Sequence, residues 1–144
     1  MSRSSADPQA GAARVLALLG ATLGALRPLA ADEDGEGART AREAVAGLVR
    51  VRDWLEAAAP GARSPVSAAP AEPATDGDAR LVAVLRAAID DLEALSEALE
   101  RDDPVAHFDA VQASGLAAAV LGAAYLRLVR TGLAPPRPVN LLAP

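Results

Sequence analysis

The chain's single histidine, His107, stands six residues after Arg101. An imidazole can take up and release a proton near neutral pH, and a guanidinium can steady negative charge on phosphate. Together the two side chains could cleave a phosphodiester without metal. A second candidate set is acidic: Asp32, Asp34, Glu36 and Glu43, with Gly37 inside the run. Carboxylate oxygens around a sharp glycine turn suit a calcium ion. A third set, Glu97, Glu100 and Asp103, repeats every three residues and could offer one acidic face to Mg²⁺, with Asp53 and Glu56 as its only acidic partner. Cysteine is absent, which removes thiol catalysis, disulfides and thiolate metal sites. One histidine cannot supply the two Glu-x-x-His motifs of a di-iron bundle, and it leaves nucleophilic triads without a convincing base.

Two of these sets resemble known families. Arg101-Asp102-Asp103-Pro104-Val105-Ala106-His107 is similar to the Arg-x(4–6)-His signature of HEPN-domain ribonucleases. The resemblance implies an all-helical dimer in which Arg101 and His107 act on the RNA 2′-hydroxyl and phosphate. Asp102 stands where that family usually has Asn, and Pro104 interrupts the motif. Residues 32–43 resemble an EF-hand loop, with Asp32, Asp34, Glu36, Gly37 and Glu43 at its positions 1, 3, 5, 6 and 12. That resemblance implies calcium bound by Asp32, Asp34, Glu36 and Glu43. Glu36 is longer than the usual ligand, Arg39 replaces the apolar residue that pairs with a second loop, and the chain has no second loop. The competing reading is a solvated acidic turn whose Thr40 and Glu43 form a capping box.

The bulk composition narrows the classes further. Alanine fills 37 of 144 positions, lysine none, and Phe, Trp and Tyr one each, the bias of a high-GC bacterium. A net charge of −5 and the lack of a stacking platform argue against general nucleic-acid binding. The longest uncharged run, residues 110–126, is too short and too polar at Gln112 and Ser114 to be a convincing membrane span. Asp7 and Arg27-Pro28 spoil the resemblance of the apolar N-terminal stretch to a secretory leader. A cytoplasmic protein with no membrane association and no cofactor is expected.

The elements that must position these residues are helices. Asp7-Pro8 opens the first, whose Leu16, Leu19, Leu23 and Leu26 recur at 3-4-3 spacing, and Arg27-Pro28 ends or kinks it. The second begins near Thr40 and buries Ala41, Ala44, Leu48, Val51 and Leu55, with Trp54 at the flank. The third is capped by Asp76 or Asp78, and Leu81, Leu85, Ala88, Leu92, Leu95 and Leu99 form a regular heptad seam. Asp103-Pro104 opens the fourth, which Gly132 closes. Its many small residues predict a central helix that others approach closely. Residues 60–75, with four prolines, read as a connector, and residues 133–144 as an extended tail.

The expected fold is one all-α domain over residues 1–144, an up-down four-helix bundle, or two helical hairpins that complete a core in a dimer. The favoured function is a non-catalytic interaction protein (adaptor, assembly subunit or chaperone-like bundle) working through helix packing. A homo-oligomer or a protein partner is expected, with Gly115, Ala119, Gly122 and Leu126 at the interface. The HEPN-like ribonuclease using Arg101 and His107 is the first alternative, and the calcium module at 32–43 the second.

Overall fold

A computed structural model describes residues 7–31, 35–62 and 77–136. They form four helices: α1 (Pro8–Ala30), α2 (Glu36–Ala58), α3 (Gly77–Asp102) and α4 (Phe108–Arg130), with no strand among the described residues. The four close one core within a single chain, so the hairpin-dimer alternative is not needed to complete it.

Each helix buries the face its pattern foretold, except that Leu95 of the α3 seam is only half-buried. Leu16, Leu19, Leu23 and Leu26 of α1, Leu48 and Leu55 of α2, and Leu81, Leu85, Leu92 and Leu99 of α3 are fully buried. Burying a leucine stabilises by about 1.5–3 kcal/mol relative to leaving it exposed. α4 contributes mainly small residues, Ala110, Ala113 and Ala117, with Leu121 and Leu128. It is not central. α2 and α3 pack on either side of it, α1 lies diagonally across the core, and its outer face is left open.

Contacts along the helices give their directions. Gly11 near the start of α1 meets His107, which leads into α4, and Leu99, near the end of α3. Gly37 at the start of α2 meets Asp78 at the start of α3, and Gly47 meets Val120 at mid-height. The chain therefore runs up, down, down, up, and every neighbouring pair of helices is antiparallel. α2 and α3 are parallel across a diagonal, so the segment joining them connects opposite ends of the bundle. Of the proline-rich connector only Pro60, Gly61 and Ala62 are described, and residues 63–75 lie outside the described residues, as do 137–144 of the tail.

Several boundaries differ from the sequence reading, each for a local reason. α1 continues through Pro28 to Ala30, because its last turn is held by buried Leu29 and by Arg42, which donates to the Ala30 carbonyl at 3.0 Å. α2 begins at Glu36, one turn before Thr40. Thr40 then falls on the core face, fully buried and without a partner for its hydroxyl, so the Thr40–Glu43 capping box does not form. The N-cap of α2 is Gly35, which has no side chain to offer, and the Asp78 carboxylate lies over Gly37 in the first turn instead. A negative group there suits the positive end of the helix.

Two terminal devices match expectation. Asp7 accepts from the Gln9 amide at 3.0 Å. Gly132, at φ +81°, closes α4, with the Leu133 amide donating to the Leu128 carbonyl at 2.8 Å. Just beyond, Tyr125 donates to the Pro135 carbonyl at 2.7 Å, which fixes the beginning of the tail against α4.

Candidate functional site

Three places hold the residues with chemistry or recognition to offer. The first is the end of the bundle where α3 passes into α4. Asp103 accepts from the amides of Val105 and Ala106, both at 3.1 Å, and so builds a separate turn over residues 104–107. Regular helix resumes only at Phe108, four residues after Pro104. This break turns the His107 ring inward, where it is 4% exposed. Its Nε2 lies 2.8 Å from the Asp102 carboxylate. A carboxylate accepts, so Nε2 carries a hydrogen, and buried Nδ1 has no hydrogen-bond partner. The ring fills the space a side chain at residue 11 would need: a Cβ on Gly11 would stand 2.5 Å from Nδ1.

Arg101 is exposed in the last turn of α3, where its charge suits the helix end. Sequence spacing brought Arg101 and His107 together, but the fold gives them different surroundings, one in solvent and one in the core. A buried ring bound to Asp102 has no surface on which to meet a ribose hydroxyl. A cleft of about 340 Å³ at this end is lined by Asp7, Gln9, Ala12, Pro60, Ala106 and Asp109, and includes neither Arg101 nor His107.

The second place is the opposite end, where Glu36 and Glu43 lie along α2. Arg127 of α4 reaches both: Nε is 3.4 Å from Glu36, and Nη1 makes a close bond to Glu43. Glu36 also pairs with Arg39 at 3.4 Å. The hydrogen bond to Glu43, more than the charge of either carboxylate, raises the Arg127 pKa above its ordinary value, against some desolvation. Two of the four expected calcium ligands are therefore in ion pairs that tie α2 to α4. Asp32 and Asp34 lie outside the described residues. Among the described residues no three His, Asp or Glu side chains converge as a metal site. Glu97 and Glu100 are exposed, and Asp103 is occupied by its turn.

The third place is the outer face of α4. Gly115 and Ala119 are exposed and Gly122 is half-exposed, and a Cβ on either glycine would meet nothing within 4 Å. Leu116 and Leu126 are 49% and 48% exposed, and Phe108 at the near end 59%. No charge occurs from residue 110 to residue 126. Because the flanking side chains are small, an open trough runs along each side of the helix. One, about 550 Å³, lies against α2 at Gly47 and Val120; the other, about 530 Å³, lies against α3 at Ser96 and Ala118.

Gly115, Ala119, Gly122 and Leu126, the expected contact stripe, thus share one outward face. Sequence reasoning missed Leu116, Ala123 and Phe108 on that face, although a signal was present. Once the buried row Ala110, Ala113, Ala117, Leu121, Ala124 and Leu128 is removed, Gln112, Leu116, Ala119, Ala123, Leu126 and Arg130 remain at 4-3-4-3-4 spacing. α4 carries a second heptad seam on its outside. By length and composition alone, α1 and α4 are also apolar enough to cross a membrane, though in the bundle each buries one face against its neighbours. Compared with known proteins, the chain matches no family model, no curated sequence and no solved structure.

Proposed function

We propose that this protein is a non-catalytic helical interaction module of the cytoplasm, which binds a protein partner through the outer face of α4. The observation that carries this reading is the outer seam, uncharged from Gln112 to Leu126, with Leu116 and Leu126 in solvent beside open glycines. A helix face of that kind loses apolar surface to water until another helix covers it, and exposed patches of this sort mark contact sites. The seam's spacing is that of a helix–helix contact. The ribonuclease reading draws no comparable support, since His107 is buried against Asp102. The calcium reading must contend with Arg127, which already engages Glu36 and Glu43.

The test places a photo-crosslinking amino acid at Ala119 of the full chain in living cells, with the same residue at exposed Arg14 of α1 as control. Discrete adducts from Ala119 and none from Arg14 are expected. Absence of any adduct at Ala119 would overturn the reading. So would metal-free cleavage of RNA by the purified protein that disappears in His107→Gln.

A further inference from the structure

Resting on the reading of the outer α4 face as a contact surface, we propose that its occupant is a second copy of this chain. The two α4 helices lie antiparallel, related by a two-fold axis at Ala119.

Charge sets the direction. The outer seam of α4 ends, on its α2 side, at exposed Asp109, which also borders the end cleft, and at exposed Arg130, which also borders the α2-side trough. In an antiparallel pair about Ala119, Asp109 of each copy comes opposite Arg130 of the other, twice over. A parallel pair would oppose aspartate to aspartate and arginine to arginine, which costs free energy in both places. Shape sets the register. With Ala119 on the axis, Leu116 falls on Gly122 and Ala123 of the other copy, a large side chain against small ones, and Leu126 lies opposite Gln112. Gly115 and Gly122, with open space over both, come together on the same side and let the backbones approach.

On the α3 side, Glu93 and Glu97 border the trough and would face their own copies, which confines the contact to α4 itself. A 23-residue helix is about 34 Å long, and one face of it covers less than the roughly 800 Å² per partner of a standard interface. The pairing is therefore expected to be reversible, with dissociation at roughly micromolar concentration.

Sedimentation equilibrium of the purified full chain over a concentration series tests the occupant. The expected mass rises from 14.5 kDa toward twice that value. Asp109→Arg and Arg130→Asp should each weaken association about tenfold or more, and the double variant should restore it. The natural chain has no cysteine, so single cysteines report the register. Ala119→Cys should join to its own copy under mild oxidation. Gln112→Cys alone should not, but should join when mixed with Leu126→Cys. All these substitutions lie on the solvent face, and helicity and melting confirm that each variant folds.

A Gln112→Cys chain that self-joins as readily as Ala119→Cys would overturn the antiparallel register. A single-copy mass at every concentration would overturn the second copy as occupant. If that mass accompanies heavier adducts from Ala119 in cells, only this inference falls. If it accompanies no adduct, the interaction reading falls with it.

Discussion

At the scale of single residues, the His107 ring and the Gly11 backbone occupy one another's space. The contact joins the beginnings of two helices that are diagonal in the bundle, where side chains normally intervene. Gly11→Ala would ordinarily favour a helix by up to about 1 kcal/mol. Here the added methyl would stand 2.5 Å from the ring and 3.3 Å from the Leu99 side chain, so overpacking wins and a loss of about 1–3 kcal/mol is expected. Gly24→Ala, where a Cβ meets nothing within 4 Å, should show the ordinary gain of about 0.5–1 kcal/mol. Removing the ring should relieve the clash. In a denaturation double-mutant cycle, Gly11→Ala should therefore cost clearly less in a His107→Ala background, and additive losses would show that the two do not press on each other. At the other end, calcium would have to displace Arg127 from Glu43. Titration calorimetry is expected to show affinity no better than about 10⁻⁴ M. Micromolar binding that Glu43→Gln abolishes would make residues 32–43 a functional loop.

At the scale of elements, α3 shows most plainly how a pattern becomes a structure. Leu92 is fully buried while Glu93, its neighbour, faces the solvent side of the α3–α4 trough. Leu92→Ala is expected to cost about 2–5 kcal/mol, and Glu93→Ala to fall within about 0.5 kcal/mol of the parent, both by chemical melting. An unchanged midpoint for Leu92→Ala would mean that the seam does not face the core. Faces of this kind were legible in the sequence because burial follows a 3.6-residue period that side-chain type reports directly. Ends were less so. Thr40 and Glu43 have the spacing of a capping box, but the same hydroxyl also lies on the row of Gly37, Ala41 and Ala44, and tertiary burial outweighed the local cap. His107 and Arg101 lie near each other along the chain, yet spacing carries no information about which of them turns inward. That depended on the turn built by Asp103, which sits between them. In α4, small residues all round the helix hid the difference between the inner row and the outer one. Alanine is as acceptable in a tight core as on an exposed seam.

At the scale of the whole molecule, hydrophobic periodicity gives faces but not directions, so the order up, down, down, up could not be read from it. The structure supplies it through contacts such as Gly37 with Asp78, which put the starts of α2 and α3 at the same end. This gives the connector a definite task. The chain leaves α2 beside Gln9 at one end and enters α3 beside Gly37 at the other, across a bundle whose helices of 23 residues are about 34 Å long. An extended chain advances at most about 3.3–3.6 Å per residue, so on the order of ten residues are needed to make the crossing at all. Residues 63–76 number enough to do so whatever their sequence. Replacing residues 63–75 by Gly and Ser at equal length should therefore leave the melting temperature within a few degrees, because extra chain entropy in a loop of fixed length is a small term. Shortening the same segment to four residues is a different change. It leaves the prediction no gradual outcome, since α3 could no longer start beside Gly37, in the first turn of α2, within one chain. The bundle should then unfold, or exchange its two halves between chains to give a swapped dimer. Sedimentation and melting of the two variants side by side would decide it. A short-loop variant that stays a stable single-copy bundle would require α3 to run the other way.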